Sequence, residues 1–466
     1  MRTKEITLVG GGLAGCLLAV FLARRGFPVR VFERLPDMRK HRIPAGRSIN
    51  LSLSARGIHA LKEIGLYREI ERHLVAMPGR MIHDEAGKLF YQPYGRDESA
   101  VHYSVERAVL NKTLLDAAEA AGAALFFGEK CEGLDFESRR LLLRRETDEH
   151  RRALLFETVI GADGAGSAVR QAMIERKGIA CRDEHLPHGY KELAIPPGPD
   201  GAPRLEQNAL HIWPRGGFML IALPNRDGSF TATLFLPHSG PESFRTLADE
   251  RAVLHFLETE FPDALPLMAD PIRDFLDHPT GTLGTIRCFP WHVGGEALIL
   301  GDAAHAVVPF HGQGMNCAFE DCAVLDRLLD EHDDFESLYC NFEAQRKPNA
   351  EAIADMALEN YIEMRDSVRD PKFHLRKHVE WRLEERHPGR FIPRYAMVMF
   401  HRVPYAVAKN RGDIQARIVD RLSDSVDRVD EVDFDLADRL VTKSLEPLTA
   451  LTEYNHRQRF NSDQIE

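Results

Sequence analysis

The sequence lacks the cysteine patterns that staple small folds or hold zinc. It has seven cysteines, an odd number, scattered along 466 residues without a Cys-x-x-Cys pair. A disulfide framework and a zinc site are therefore not expected, and we predict no metal ligands. Reduced cysteines fit a cytoplasmic setting, where disulfides are rare.

Long apolar runs are missing as well. No stretch approaches the roughly 20 residues needed to cross a bilayer. The first apolar strand starts within about five residues of Met1, which leaves no room for a signal peptide. The tail from Leu445 to Glu466 is polar. We expect a soluble, cytoplasmic protein without a membrane anchor.

An excess of positive charge is also absent. The chain has 60 Lys and Arg against 71 Asp and Glu, a formal net charge of −11. Nucleic acid is therefore not an expected partner. With 44% hydrophobic and 28% charged residues, the composition is that of an ordinary globular protein. The length predicts two domains, or three.

The first motif lies near the N-terminus. An apolar strand at 6–9 is followed by Gly10, Gly12 and Gly15 in GxGxxG spacing, then by a helix and a second strand that ends in Glu33. This context predicts a βαβ unit whose helix N-terminus receives a pyrophosphate and whose acid binds a ribose hydroxyl. The sequence contains a single such motif, so a second dinucleotide domain is not expected.

Two further motifs follow strands later in the chain. Asp163 and Ser167 sit in DGAGSAVR, where they either fix a turn beside a nucleotide or simply cap a helix. Residues 297–321 combine an apolar strand, Asp302, a loop with Gly312 and Gly314, and a helix start. The helix N-terminus favours negative charge, such as that of a reduced flavin. By itself this stretch is equally consistent with scaffold.

The middle and end of the chain have a different character. Residues 180–280 predict consecutive antiparallel strands with an Asn-Arg-Asp-Gly turn. After residue 318 the pattern is helical, with breaks. We predict an α/β FAD-binding, Rossmann-like domain with an inserted antiparallel-sheet substrate domain and a C-terminal helical region. The predicted limits are 1–178 and 281–335 for the FAD-binding domain, with strands around 80–95 on the substrate side, 179–280 for the insert, and 336–466 for the helices.

The three motifs, in this order and with a β-rich insert before the last, resemble the single-component flavoprotein monooxygenases of the para-hydroxybenzoate hydroxylase type. Segments resembling the kynurenine-hydroxylating branch extend the match over nearly the whole chain: GRSINL (46–51), GRMIH (79–83), QPYGR (92–96), PHGYKEL (187–193), NALHIWPRG (208–216), PFHGQGMNCA (309–318), MALENY (356–361) and FIPRY (391–395). Eukaryotic members end in a membrane anchor, so the polar tail here indicates a soluble, bacterial-type member.

The resemblance implies the cofactor site. FAD is expected to be held by residues from all three motifs and from the segments between them: Gly10, Gly12, Leu13, Ala14, Gly15, Phe32, Glu33, Arg34, Leu35, Ser52, Arg107, Cys131, Asp163, Asp302, Gly314, Met315 and Asn316. For Arg34 the pattern leaves a phosphate contact and a solvated position open. For Arg47 it leaves a place near the flavin and a solvated position open.

The resemblance also implies the substrate site. L-kynurenine is expected to contact Arg80, Tyr94, Asn360 and Tyr395. An arginine fork and a tyrosine hydroxyl suit an amino-acid carboxylate. From pattern alone, Arg80 reads as a surface or scaffold residue and the two tyrosines as core residues. The resemblance places Phe310 and His311 in a loop that lies against the flavin and senses substrate.

The implied reaction is the hydroxylation of L-kynurenine to 3-hydroxy-L-kynurenine in tryptophan degradation or NAD precursor synthesis. NADPH visits, reduces FAD and leaves, and O2 then gives a flavin C4a-hydroperoxide. The flavin performs the chemistry, so no side chain is expected to be an obligatory catalyst. The NADPH docking site, the preference for NADPH over NADH, and the choice between monomer and homodimer stay open.

Three other interpretations of the function remain. A flavin-fold carrier without redox activity would not need the loop of residues 309–318. A flavin halogenase would carry a Trp-x-Trp pair, whereas the three tryptophans here lie at 213, 291 and 381. A hydroxylase acting on a phenol is the nearest rival, but it has no need of an arginine and a tyrosine for a carboxylate.

Overall fold

The computed structural model describes residues 4–41, 50–96, 99–365 and 370–448. Strands in chain order are β1 (Ile6–Val9), β2 (Val29–Glu33), β3 (Leu51–Leu53), β4 (Val75–Met77), β5 (Gly79–His83), β6 (Leu89–Pro93), β7 (His102–Val105), β8 (Ala124–Phe127), β9 (Glu129–Asp135), β10 (Arg140–Arg145), β11 (Arg151–Leu155), β12 (Thr158–Gly161), β13 (Ala180–Ile195), β14 (Leu210–Pro214), β15 (Met219–Pro224), β16 (Phe230–Pro237), β17 (Gly281–Phe289), β18 (His292–Val293) and β19 (Ala297–Ile299).

Helices in chain order are α1 (Leu13–Arg24), α2 (Ala55–Glu63), α3 (Tyr67–Glu71), α4 (Arg107–Ala120), α5 (Ala168–Lys177), α6 (Glu250–Glu260), α7 (Pro271–Asp277), α8 (Asp302–His305), α9 (Gly314–Leu328), α10 (Phe335–Arg365), α11 (Pro371–Arg386), α12 (Arg394–Met399), α13 (Tyr405–Ser423) and α14 (Phe434–Ser444). Short 3₁₀ turns are described at Leu265–Leu267, Pro309–His311 and Val429–Glu431.

The first sheet is parallel apart from one edge strand. Its order is β18-β19-β12-β1-β2-β8, and only β18 runs antiparallel to its neighbour. β1 and β12 are buried along their whole length, as expected for parallel strands covered on both faces. The carboxyl ends of β1, β12 and β19 meet at one edge, so the three sequence motifs converge there. The predicted FAD-binding α/β fold is confirmed.

The second sheet has seven strands in the order β17-β13-β16-β15-β14-β5-β6. The predicted turn joins β15 to β16, with the Asn225 amide donating to Ser229 O at 2.8 Å. Helices α6 and α7 pack on one face over Trp213, Phe230 and their neighbours. Two parts of the sheet come from outside residues 179–280. β5 and β6 join it through a parallel pairing of β5 with β14. β17 spans Gly281–Phe289 and so follows the predicted end of the insert.

Two small sheets complete the β structure. One has the order β3-β7-β4, with β5 and β6 of the second sheet between β4 and β7 in the chain, and it carries Ser52 and His102. The other has the order β11-β10-β9. The first of them supplies residues to the site described below.

The C-terminal region consists of helices α10 to α14. The longest, α10, spans 31 residues and continues across Pro348, which removes one helical hydrogen bond. Prolines 393 and 404 precede α12 and α13 and set the predicted breaks. In the described part of the chain, no helix has the length and apolarity needed to cross a membrane.

Candidate active site

The first glycine loop is shaped by close backbone contacts. Gly10 has φ +104°, and a Cβ there would lie 2.4 Å from Ala162 O. A Cβ on Gly15 would lie 1.9 Å from Gly10 O, so the helix can approach the strand only with glycine. A Cβ on Gly12, by contrast, would meet no described atom within 4 Å. The loop is tight on its protein side and open at the start of α1.

The start of α1 suits an anionic group. Gly12 is its N-cap, the first turn carries no acidic residue, and no described side chain caps it. Leu13 and Ala14 form the first turn, so their amides have no partner within the helix. Such a terminus binds phosphate through its N–H groups and its dipole. The predicted pyrophosphate site therefore has the required geometry.

Glu33 ends β2 beside this loop. Its two oxygens accept hydrogen bonds from the amides of Gly11 (2.7 Å) and Leu35 (2.8 Å). The carboxylate thus holds the loop and still has lone pairs for a ribose hydroxyl, the predicted role. Phe32 is buried and stacks on Phe126 at 4.9 Å, whereas Arg34 and Leu35 are exposed.

The second motif caps α5. Asp163 accepts hydrogen bonds from Ser167 Oγ (2.5 Å) and the Ala168 amide (2.7 Å). Asp163 also lies against Gly10, since a Cβ on Gly10 would come within 2.9 Å of its Cα. Arg170 then reaches the third motif and donates to Ala303 O at 2.8 Å. The motif is a helix cap that also joins the first and third motifs.

The third motif places α9 with its N-terminus towards the loop. Gly301 has φ +57° and precedes Asp302, which is exposed at the start of α8. The Cys317 amide is the first to bond within α9, to Gln313 O, so the amides of Gly314, Met315 and Asn316 have no helical partner. No described side chain caps them. These amides can stabilise negative charge on a flavin ring.

The side chain of Asn316 has a structural task. It donates to Ser52 O at 2.7 Å and to Gly312 O at 2.8 Å, and it accepts from the Ser54 amide at 3.0 Å. It therefore fastens α9 to β3 and to the glycine loop. Its backbone amide is the part left for the predicted cofactor contact.

The remaining predicted FAD residues are spread around these motifs. Ser52 lies under Gly312 and bonds His102 Nδ1 at 2.8 Å. Cys131 is buried on β9; burial, with a contribution from Asp163, raises its pKa to about 12, so the thiol lies near the second motif. Arg107 is exposed at the first position of α4. Arg47 lies outside the described residues.

The predicted substrate residues Arg80, Tyr94 and Tyr395 meet in one cluster. The Arg80 guanidinium lies 5.3 Å from the Tyr94 ring and 5.2 Å from the Tyr395 ring. The two rings stack at 5.2 Å with an interplanar angle of 13°. Arg80 is only 5% exposed, so it is not a surface arginine. Residues more than 300 positions apart form one cationic, aromatic wall.

Two histidines complete this aromatic cluster, which we define as Arg80, Tyr94, Tyr395, His102 and His311. His311 stacks on Tyr395 at 5.3 Å, and His102 lies 4.7 Å from Tyr94. Burial, with added repulsion from Arg80, lowers the pKa of His311 to about 4 and that of His102 to about 3. Both rings are neutral near pH 7.

Asn360 and Phe310 do not join the cluster directly. Asn360 donates to Phe310 O at 2.7 Å. The Phe310 ring stacks on Tyr361 at 4.0 Å and lies tilted against Phe235 at 4.9 Å. The amide thereby fixes the loop that carries His311. Asn360 contributes to the cluster through this loop.

Glu363 faces the cluster from α10. Its Oε1 lies 3.7 Å from Arg80 Nη1. Burial alone would raise the pKa of Glu363, but Lys377, Arg80 and Arg394 lower it. The site therefore presents an ionised carboxylate beside a guanidinium. This residue was not predicted.

A second cluster of charged side chains forms an ion-pair network. We call it the basal network and define it as His305, Asp321, Arg346, Glu320 and Arg56. His305 Nε2 and Asp321 Oδ2 are 2.6 Å apart, and Arg346 donates to Asp321 at 2.7 Å and to Glu320 at 2.6 Å. Burial alone would raise the pKa of Asp321, but His305 and Arg346 lower it to about 2. Asp321 in turn raises the pKa of His305 well above its usual value, against the effect of burial.

Arg56 carries the network to the C-terminal helices. Its guanidinium bonds Glu320 at 3.1 Å and the carbonyl oxygen of Val398 at 2.5 Å, and it also donates to Val403 O. It lies 3.8 Å from the Tyr405 ring centroid. The basal network thus fixes the C-terminal end of α12, the helix that carries Tyr395.

One group of three potential metal ligands occurs in the described part of the chain. His305, Cys317 and Asp321 offer ligand atoms within 4.8 Å of one another. The Arg346 guanidinium lies among them, 2.7 Å from Asp321 Oδ1 and 3.4 Å from Cys317 Sγ. A fixed positive charge in this place opposes a metal cation, so the group is better described as part of the basal network.

Comparisons with known proteins agree with this geometry. A family model described as FAD binding domain matches residues 3–183 and 278–357. The kynurenine 3-monooxygenase of Myxococcus xanthus (strain DK1622) is 48% identical over 447 residues, covering 96% of each chain. That of Xanthomonas axonopodis pv. citri (strain 306) is 47% identical, covering 96% of this chain and 98% of the other. The chain belongs to the kynurenine 3-monooxygenase family. It is an FAD-dependent monooxygenase.

Solved structures support the fold independently. 2-Methyl-3-hydroxypyridine-5-carboxylic acid oxygenase superposes with a TM-score of 0.64 at 19% identity, over 80% of this chain and 95% of that one. Pseudomonas aeruginosa PqsL in complex with 2-aminobenzoylacetate gives 0.62 at 20% identity, over 78% and 97%. At such identities the likeness concerns the fold. This member of the kynurenine 3-monooxygenase family thus shares its fold with these two proteins.

Sequence reasoning missed His102, Glu363, Arg56 and Arg346. Arg56 had a local signal, since it shares the buried face of α2 with Gly57, Ala60 and Leu61. A charge on a buried helix face implies a partner. Arg346 had the same signal, since it shares the buried face of α10 with Phe342 and Ala350. His102 and Glu363 carry no comparable pattern.

Proposed function

We propose that the protein hydroxylates L-kynurenine to 3-hydroxy-L-kynurenine, using bound FAD, NADPH as a transient reductant, and O2. The observation that carries this proposal is the aromatic cluster beside Glu363. A buried guanidinium with two tyrosines suits a carboxylate, and an ionised carboxylate suits an ammonium group. The pair complements both charges of an amino acid, and the stacked rings offer an apolar wall for an aromatic side chain.

FAD fits the residues present. The open start of α1, the carboxylate of Glu33 and the uncapped amides of α9 supply places for pyrophosphate, ribose and an anionic ring. When bound, the flavin accepts a hydride from NADPH and activates O2 for transfer of one oxygen atom to the ring. The predicted contacts of Ser52, Arg107, Cys131, Asp163 and Asp302 belong to this proposal.

The chain's own residues hold and orient the substrate and shield the site from water. Arg80, Tyr94 and Tyr395 fix the amino-acid end of the substrate. The uncapped amides of Met315 and Asn316 stabilise negative charge where the flavin ring lies. Because His102 and His311 are buried and neutral, the cluster adds no second positive charge to compete with Arg80. We propose that His311 and Phe310 respond to substrate through the loop that Asn360 holds.

The product would serve tryptophan degradation or the supply of NAD precursors. The cytoplasm, where NADPH is regenerated, is the proposed location.

The test is NADPH oxidation by the FAD-loaded protein, with and without L-kynurenine, followed by mass analysis of the product. We expect kynurenine to stimulate oxidation and to gain one oxygen atom ortho to its amino group. 2-Aminoacetophenone, which keeps the ring and ketone but lacks the amino-acid group, is the matched control and should stimulate far less. Equal stimulation by both compounds, or an unmodified kynurenine, would refute the proposal.

A further inference from the structure

Two of the chain connections between the first sheet and the second run side by side. The chain leaves α5 at Lys177 and enters β13 at Ala180, and it returns from β17 at Phe289 towards β18. Ala180 and Phe289 are antiparallel partners, so the outgoing and returning strands are hydrogen-bonded neighbours where they leave and re-enter the FAD-binding part. We call residues 180–182 and 287–289 the neck.

The neck holds two cysteines directly opposite each other. Cys181 and Cys288 are cross-strand partners in the β13–β17 register. Directly opposed residues of an antiparallel pair have Cα atoms about 4.5 or 5.5 Å apart, with both side chains on the same face. A disulfide requires about 4.4–6.8 Å between Cα atoms. Either form of antiparallel pair therefore has a Cα separation within the range of a disulfide.

The two thiols are not equivalent. Both are free; Cys181 is half-buried, whereas Cys288 is buried. Burial, with the adjacent Cys181 adding to it, raises the pKa of Cys288. Cys181 is thus the more accessible thiol, and Cys288 sits next to it as a partner for a second step. An accessible cysteine next to a second cysteine that can resolve its oxidised form is a common arrangement of an oxidisable pair.

We propose that Cys181 and Cys288 form a peroxide-oxidisable dithiol that closes a disulfide across the neck. The Cys181 thiolate attacks hydrogen peroxide; an S–O bond forms, the O–O bond breaks, and hydroxide leaves as water after taking a proton. Cys288 then attacks the sulfenic sulfur; the S–S bond forms, the S–O bond breaks, and a second water leaves. Two thiols are oxidised and one peroxide is reduced to two waters.

Residues next to the neck contact the segment that begins with Asp302, a predicted cofactor residue. The Ile286 amide donates to Ala306 O at 2.9 Å, immediately after the Asp302–His305 helix. Arg170 donates to Ala303 O in the same helix. Its positive charge also acts to lower the pKa of Cys288, against the larger effect of burial. The disulfide would close a loop of about 100 residues that contains most of the second sheet.

The experiment treats the FAD-loaded full chain with a small excess of hydrogen peroxide, blocks remaining thiols, and maps peptides without reduction. We expect one intramolecular cross-link, Cys181 to Cys288, that dithiothreitol reverses. Cys340 is the exposed cysteine and provides the matched control: the variant Cys340→Ser should form the cross-link unchanged. Cys288→Ser should abolish it and leave Cys181 oxidised beyond the thiol.

A second measurement does not depend on any variant. Closing a long loop restricts the unfolded chain, so the oxidised protein should melt about 5 °C higher than the reduced protein. Peroxide that oxidises Cys340 alone, or that takes Cys181 to sulfinic acid with Cys288 still free, would overturn the proposal. So would a cross-link found only between two molecules.

Discussion

The basal network and the aromatic cluster use their charges differently. In the basal network each ionic group has a described partner, with Asp321 held by His305, Arg346 and the Gly301 amide. In the aromatic cluster, the buried atoms Arg80 Nε and His102 Nε2 have no hydrogen-bond partner among the described residues. Buried polar atoms are normally satisfied. The first region is complete by itself, whereas the second is built to receive a ligand.

The comparison predicts that damage to the basal network appears as lost stability. Arg346→Leu removes the guanidinium that Asp321 and Glu320 share and leaves the buried Asp321 with His305 alone as its ionic partner. Breaking a buried ion pair typically costs about 3–5 kcal/mol. Urea unfolding should show this loss, the largest effect predicted here. The control Arg327→Leu removes an exposed pair with Glu331 and should cost less than about 1 kcal/mol. Equal midpoints for the two variants would contradict a structural role for the network.

Damage to the aromatic cluster should appear in substrate binding instead. Arg80→Ala removes a charge-assisted bond of about 1.5–3 kcal/mol, so the KM for L-kynurenine should rise tenfold or more. Steady-state kinetics at saturating NADPH measure it, with the exposed Arg273→Ala as control. An unchanged KM would remove Arg80 from the substrate site.

The two regions should also respond oppositely to pH. His311 has a lowered pKa of about 4 in the folded protein. As the pH falls from 6.5 to 4, His311 therefore becomes protonated in the unfolded chain before it does so in the folded chain. Its contribution makes the free energy of unfolding fall as the pH falls through this window. His305 has a raised pKa, and its contribution is present below pH 6.5 and lost as the pH rises through the folded-state value. His311→Gln should remove up to about 1.4 kcal/mol per pH unit from the acid slope.

Urea unfolding at intervals between pH 7 and pH 4 measures this slope. His305→Gln serves as the contrasting variant and should leave the His311 contribution in place. An acid slope that His311→Gln does not change would show that His311 is not held neutral.

The smallest effect concerns a single hydroxyl. Tyr395→Phe keeps the ring stack with Tyr94 but removes one hydrogen-bonding group, worth about 0.5–1.5 kcal/mol, so the KM should rise about 2- to 10-fold. Tyr339→Phe is the matched control, because its hydroxyl bonds Thr158 at 2.8 Å inside the first sheet. A larger rise for Tyr395→Phe than for Arg80→Ala would reverse the assigned importance of charge.

Local pattern predicted the strands that bring the three motifs to one edge of the first sheet. Gly10, Asp163 and Asp302 each follow a strand, and parallel strands bring their carboxyl ends to one edge by rule. The substrate side depends on pairings that no local pattern encodes. Arg80 and Tyr395 are far apart in sequence, and their meeting requires the complete second sheet and the C-terminal helices. Only the family resemblance pointed to them.

Asn316 shows a limit of a different kind. Its position at the helix start was predicted, but its side chain is used to join Ser52, Ser54 and Gly312. A sequence motif gives the place of a residue more reliably than the atom that acts. The same holds for Asn360, which reaches the cluster through Phe310 O.

The parallel pairing of β5 with β14 has a consequence for synthesis on the ribosome. The β5–β6 hairpin leaves the exit tunnel roughly 120 residues before β14, and translation proceeds at roughly 5–20 residues per second. For on the order of ten seconds the nascent hairpin, with Leu89, Phe90 and Tyr91 on its outer strand, has no sheet to join. During that interval it is an open edge for other nascent chains or chaperones, and β14 must compete with them for the same hydrogen bonds.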